Sequence, residues 1–473
     1  MTRDNDTSDK VAVDQHSAAS PDIKGEIVES RPEKKSMSLR AKSINSVVAL
    51  TTGTVVGRAL RFARNIILVR LLDEKLFGVM GIVMAATIAF ESFSEVGVQQ
   101  SVIQNKDGAD PEYLNIAWWF QAVRGLSLFI IGLLVAPMIG SFYGNPEITV
   151  LLRVAFVGTL LRGLVSPRAY ALEKEYRFGL LMLILQGSSV VGTVTTVVLA
   201  FMMKNIWVLI IGYVAETAIM CLLSHILVPF KPTLRINKPY LAELMRFARG
   251  MFGLPFLTVV AMQGDVFMLG KLLPAEQLGL LGMYVMVLRL AEQPAWAFSQ
   301  IFGRVLLPVF AEGQDSNEVL RRRVLKVIRT SLIFSVPLVV IVAVGSKPII
   351  SLIYTPKYAV VAVPFALLCV TMFIRTQAQI LVTVCLAVGK PHLHRRYAIF
   401  LAACVICLMY PGITLFGVTG AAGVLLLSNV VAICLQIVWV GRIVNLRFQD
   451  YAFWLRHGPA FETAIRTPDD TDS

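Results

Sequence analysis

The amino-acid sequence predicts an all-α polytopic membrane protein with about twelve transmembrane helices in two pseudo-symmetric six-helix lobes. Three observations predict it: an apolar composition, recurring apolar runs, and an internal repeat that divides the chain in two. Of 473 residues, 56% are hydrophobic and only 16% charged, and the mean hydropathy is +0.68. Soluble domains carry about a quarter charged residues, so the composition excludes an ordinary cytosolic enzyme.

The apolar runs are each about 20 residues long, enough to cross roughly 30 Å of hydrocarbon. Spans are expected near 45–67, 77–98, 115–136, 148–166, 178–202, 206–228, 248–270, 279–302, 327–345, 359–387, 397–416 and 418–440. Residues 1–41 are polar and poor in aromatics and read as a disordered cytoplasmic tail. No apolar h-region follows the first charges, so this segment is not a signal peptide. Residues 42–228 then form a first lobe, 229–247 a basic cytoplasmic linker, 248–442 a second lobe and 443–473 a cytoplasmic tail. With the N-terminus inside, 28 Lys and Arg fall on the cytoplasmic side and six outside. That asymmetry obeys the positive-inside rule and predicts that both termini are cytoplasmic.

A shift of 201 residues aligns LVRLLDEKLFGVMGIV from Leu68 with LGKLLPAEQLGLLGMY from Leu269 without a gap. Leu68/Leu269, Leu71/Leu272, Leu72/Leu273, Gly78/Gly279, Gly81/Gly282, Glu91/Glu292 and Gln99/Gln300 are identical. Six expected spans precede the second copy, so both copies enter the membrane in the same direction. A parallel duplication of this kind suits a transporter whose binding site lies between the lobes.

Charges inside the expected spans point to that site, because an ionisable residue at membrane depth usually faces a cavity and marks a pathway. Arg58, Arg61 and Arg64 interrupt the first span at every third residue. Each step turns the helix by about 300°, so the three fan over roughly 120° of one face. Guanidinium forks on one face suit bidentate binding of phosphate oxygens. Arg289 and Arg375 are further candidate cavity cations. Glu91 and Glu95 lie one helical turn apart on the second span and offer counter-charge. Buried carboxylates also take up a proton or a sodium ion, so Glu91, Glu95, Asp265 and Glu292 are candidates for ion coupling or gating. By the repeat, Arg64 is equivalent to Asp265, and the two are expected to meet across the pseudo-twofold axis as an outer gate. Arg124, Arg153, Arg162 and Glu216 complete the set of embedded charges. GLVSPRAYALEKEYRFGLL, from Gly163, breaks at Pro167 and should lie at the cytoplasmic interface.

Other chemistries find little support. The six cysteines lie in apolar runs, and the CxxC of Cys404 and Cys407 has no second ligand pair, so neither a metal site nor catalytic residues are expected. No phosphate-binding GxxxxGK[ST] loop is present, and no cofactor is expected beyond a proton or sodium gradient. The net charge of +13 reads as cationic loops facing anionic lipid, not as a nucleic-acid surface.

FARNIILVRLLDEKLFGVMGIVMAATIAFESFSEVGVQQSVIQ, from Phe62, resembles the start of bacterial polysaccharide transporters, the Wzx-like flippases of the multidrug/oligosaccharidyl-lipid/polysaccharide (MOP) superfamily. PRAYALEKEYRF, from Pro167, is similar to their segment after the fourth span. GDVFMLGKLLPAEQLGLLGMYVMVLRL, from Gly264, followed by VLLPVFAE is similar to their second-lobe opening. The resemblance implies a V-shaped pair of lobes in an inner membrane, alternating between inward and outward openings. It implies an undecaprenyl-pyrophosphate-linked oligosaccharide as substrate, with Arg58 and Arg61 at the family's cationic cavity positions. A polysaccharide polymerase complex is implied as partner. The rival readings are a drug/cation antiporter of the same broad fold, a membrane-embedded glycosyltransferase and a non-catalytic scaffold of an envelope complex. The arginines of the first span oppose the antiporter, and the short loops without an acidic metal-binding pair oppose the glycosyltransferase.

Overall fold

A computed structural model describes residues 39–444 except 96, 176, 236, 252, 253 and 312–315. Both expected tails therefore lie almost wholly outside the described residues. The described chain is helical, without strands. The first half comprises α1 (Leu39–Leu71), α2 (Glu74–Phe93), α3 (Val98–Gln104), α4 (Pro111–Tyr143), α5 (Pro146–Gly163), α6 (Arg168–Lys174), α7 (Phe178–Met203) and α8 (Trp207–Leu227). The second comprises α9 (Lys238–Met251), α10 (Leu254–Leu272), α11 (Leu278–Ala311), α12 (Asn317–Val344), α13 (Ser346–Ile353), α14 (Ala362–Ala387) and α15 (Pro391–Val444).

Local sequence explains where the helices stop. Asp73, Asp110 and Asn145 each cap the next helix by accepting a hydrogen bond from the backbone N–H two residues on. Pro111 and Pro146 occupy first-turn positions, where a missing N–H costs nothing. Gly144, at φ 65°, ends α4 in the left-handed region that a side chain would resist. Among the described residues, seven helices are long and apolar enough to cross a membrane, and α5 with α6, bent by 58°, forms an eighth candidate. Their apolar windows are only 17–50% buried within the protein. The remaining apolar surface needs lipid around it, so the chain is a multi-pass membrane protein.

Each expected span falls on a helix, with three boundary corrections. The second ends at Phe93, because the chain turns through Ser94 to a left-handed Gly97 before α3. The seventh is described from Leu254, and residues 238–251 form helix α9 inside and beyond the expected linker. Leu244 and Ala248 of α9 are buried one turn apart, and the helix packs on α3 and α4. The last two spans run together as α15, which kinks at Gly417, with φ 57° and ψ −134°.

Within the first half, α4 packs on α5, α7 on α8, α5 on α8 and α1 on α7. Within the second, α14 packs on α11, α12 and α15, and α10 on α15. The halves meet where α2 packs against α10 and α11. Glycines permit that crossing. A Cβ on Gly78 would stand 2.4 Å from the Leu278 carbonyl oxygen, and one on Gly282 would stand 1.8 Å from that of Glu74. Both distances are shorter than any real Cβ contact, so the two backbones touch. Gly78 and Gly282 sit on the two helices that the sequence repeat makes equivalent.

Candidate functional site

A cavity of about 560 Å³ opens between the halves, lined by α1, α2, α7, α8 and α11. Its charges are Arg58, Arg61 and Arg64 from α1, Glu216 from α8, and Arg289 and Glu292 from α11. The three α1 arginines share the cavity because their spacing puts them on one helix face. Arg61 Nη1 donates to Ser189 Oγ at 2.7 Å and to Glu216 Oε1 at 3.4 Å. Arg64 Nη1 lies 3.5 Å from the other oxygen, Glu216 Oε2. One carboxylate thus bridges two guanidiniums. Arg289 Nη1 donates to Glu292 Oε2 at 3.1 Å, one helical turn along α11. Arg58 lies within electrostatic reach of Arg61 and Glu292. Four arginines against two glutamates leave the lining cationic, and the Nε of Arg64 is buried without a hydrogen-bond partner. A buried donor in a cationic cleft is suited to an anion's oxygens.

Five of the expected site residues, Arg58, Arg61, Arg64, Arg289 and Glu292, meet in this cavity. Four others stand elsewhere. Arg375 on α14 donates through Nε to Asn429 Oδ1 and through Nη2 to the Ala261 carbonyl, both at 3.3 Å. It ties α14 to α15 and α10 and does not line the central cavity. Asp265 is fully buried on α10, where it accepts from Tyr284 Oη at 2.6 Å and from the Val266 N–H at 2.8 Å. The expected Arg64–Asp265 pair is therefore absent: Arg64 is bound to Glu216 and Asp265 to Tyr284. Equivalence by repeat does not bring two residues together, and each finds its partner in its own half of the chain.

Glu91 also departs from the expectation that it would neutralise the α1 arginines. It receives Thr159 Oγ1 at 2.8 Å on Oε1 and Arg162 Nη1 at 3.0 Å on Oε2. Glu91 and Glu95 line a separate, smaller cavity between α2, α4 and α5. The counter-charge of α1 is supplied by Glu216, a lone carboxylate in an otherwise apolar run. That isolation was its sequence signal, whereas nothing in the sequence linked it to α1. Ser189 carried no signal at all, since a serine in a membrane helix commonly bonds its own helix.

The family model described as polysaccharide biosynthesis protein matches residues 67–363. The lipopolysaccharide biosynthesis protein WzxC of Escherichia coli K12 is 24% identical over 424 residues, which span 89% of this chain and 85% of that relative. Among solved structures, the lipid II flippase MurJ in an inward closed conformation superposes with a TM-score of 0.71 at 13% identity, over 86% of this chain and 89% of MurJ. An inward-facing multidrug resistance MATE transporter of the MOP superfamily gives 0.65 at 14% identity, over 85% and 98%. The fold is that of these transporters, and the chain belongs to the polysaccharide biosynthesis protein family.

Proposed function

We propose that this protein is a flippase that moves an undecaprenyl-pyrophosphate-linked oligosaccharide from the cytoplasmic to the periplasmic leaflet of a bacterial inner membrane. The observation that carries the reading is the cationic cavity between the halves, with four arginines against two glutamates. A pyrophosphate brings negative charge and acceptor oxygens, which guanidinium forks bind in two-point fashion. Exposed in hydrocarbon, that charge faces a penalty of several kcal/mol. A cationic, water-accessible cleft lowers it, which is the physical task of a flippase. WzxC, by its name a lipopolysaccharide biosynthesis protein, and MurJ, a lipid II flippase, support the same direction.

In this reading the lobes are residues 42–228 and 248–442, joined by a cytoplasmic linker, and they alternate by rocking about the α2–α11 contact. The positive-inside asymmetry supports an orientation with the glycine crossing at the periplasmic end and both termini in the cytoplasm. A proton or sodium gradient drives the cycle, with buried Asp265 as the candidate acceptor. The flipped product would pass to a polysaccharide polymerase. A drug/cation antiporter shares the fold, but its substrates require a cavity of opposite charge.

The test is lipid extraction from cells lacking the protein, complemented with wild type or Arg58→Ala. The expected result is pyrophosphate-linked oligosaccharide held in the cytoplasmic leaflet, relieved by wild type and not by Arg58→Ala. Normal surface polysaccharide with altered drug tolerance would instead favour the antiporter.

A further inference from the structure

We propose that the smaller cavity inside the first lobe is a binding site for a neutral sugar residue of the transported headgroup. This rests on the transport reading above and adds a second contact region to it. The cavity measures about 300 Å³ and lies where α2, α3, α4, α5 and α6 converge. That is the small end of the roughly 300–1,000 Å³ range of ligand sites, with room for a ring-sized group rather than a whole oligosaccharide.

Its charges cancel. Glu91 and Glu95 stand against Arg124 and Arg162. Glu91 is engaged by Arg162 and Thr159. Arg124 directs Nε to the Ser94 carbonyl at 2.7 Å and Nη2 to the Glu91 carbonyl at 2.8 Å, which caps the end of α2. A lining with two charges of each sign gives no net attraction for a free ion. It offers acceptors and donors to a neutral group rich in hydroxyls.

Gln121 supplies the second observation. Its side chain is 8% exposed, and its Nε2 donates to Tyr170 Oη at 3.1 Å. Gln121 lines the same site, and its Oε1 is buried without a hydrogen-bond partner. A buried acceptor left unmet is destabilising, and a sugar hydroxyl that reached it would satisfy it. The cationic cavity lies next door: the Arg162 guanidinium sits 5.5 Å from the centre of the Tyr213 ring, and Tyr213 lines the other cavity. Arg162 and Tyr213 form the shared wall, so a sugar is read beside the site that holds the phosphates.

The experiment uses the full chain in lipid nanodiscs. Saturation-transfer NMR is recorded with D-glucose, D-galactose, D-mannose, L-fucose and N-acetylglucosamine as probes, and inorganic pyrophosphate binding is followed by calorimetry. At least one sugar is expected to bind wild type. Gln121→Met and Thr159→Val are expected to weaken that sugar about tenfold, equal to about 1.4 kcal/mol, with pyrophosphate affinity unchanged. Two variants on different helices guard against one failing to fold. A cavity that holds only water gives no sugar signal from folded wild type while pyrophosphate still binds, which overturns the sugar site and leaves the transport reading standing. Sugar binding that survives both substitutions also overturns it. Sugar binding lost in the variants, in a protein that never binds pyrophosphate, supports the sugar site and counts against the cationic reading.

Discussion

Glu216 is the residue on which the central cavity turns, since its two oxygens hold Arg61 and Arg64 apart from one another's charge. The pair partners are about one-fifth to one-third exposed, so the interaction is weaker than a fully buried one. Glu216→Gln keeps the shape and removes the charge. It should lower thermal stability by roughly 1–2 kcal/mol and tighten inorganic pyrophosphate binding several-fold, readable by thermal unfolding and calorimetry on one preparation. Unchanged pyrophosphate affinity would separate Glu216 from the anion site. The arginines themselves were legible in the sequence, because charge at membrane depth is conspicuous. Their partner was not, because α1 and α8 are far apart in the chain and both pack on α7.

Asp265 argues the same point in the second lobe. A gate between Arg64 and Asp265 would let an exchange of the two charges preserve transport better than either single reversal. With each residue bonded within its own lobe, the exchanged protein should transport no better than either single reversal. Tyr284→Phe removes the 2.6 Å bond to Asp265 and should destabilise the protein by about 1–3 kcal/mol, measured as a fall in melting temperature.

At the scale of elements, the contact between α2 and α11 decides how the halves close. Gly282→Ala sets a Cβ against the Glu74 carbonyl, whereas a Cβ on the neighbouring Gly279 meets nothing nearer than 3.7 Å. Gly282→Ala should therefore pry the helices apart at about 1–3 kcal/mol and arrest transport, while Gly279→Ala behaves as wild type. The readout is labelling of Met80→Cys, which lines the cavity, by an impermeant maleimide from outside: faster in the Gly282→Ala background, unchanged with Gly279→Ala. The repeat exposed both glycines in the sequence. Repeat symmetry alone cannot tell which one faces the partner backbone, because the crossing pairs Gly78 with Gly282 rather than with its own equivalent, Gly279.

Across the whole molecule, the linker is clamped rather than loose. Asn115 Nδ2 donates to the Arg235 carbonyl and its Oδ1 accepts from the Thr233 N–H, both at 2.8 Å. Trp119 Nε1 donates to the Thr233 carbonyl at 2.8 Å. Asn115→Ala breaks two of these bonds and should speed tryptic cleavage after Lys231 and Arg235 several-fold in inside-out vesicles. Intact spheroplasts should show no such cleavage. Cleavage in spheroplasts instead would reverse the expected orientation of the chain.

By itself the sequence determined the solvent, the helices and the duplication. Apolar length, capping residues such as Asp73 and Asn145, and the register of Leu68 with Leu269 are local or periodic properties, and they survive without knowledge of packing. It also determined that α1 carries a cationic face, since helical spacing alone groups Arg58, Arg61 and Arg64. Only the tertiary structure decided which charges meet. Burial demands a partner for every ion, but the nearest partner in space is Glu216 for Arg64, on a helix far along the chain, and Tyr284 for Asp265, on the next helix. For the same reason Glu91 left the arginines it was expected to serve and helped line a second cavity, whose balanced charge no linear spacing reveals.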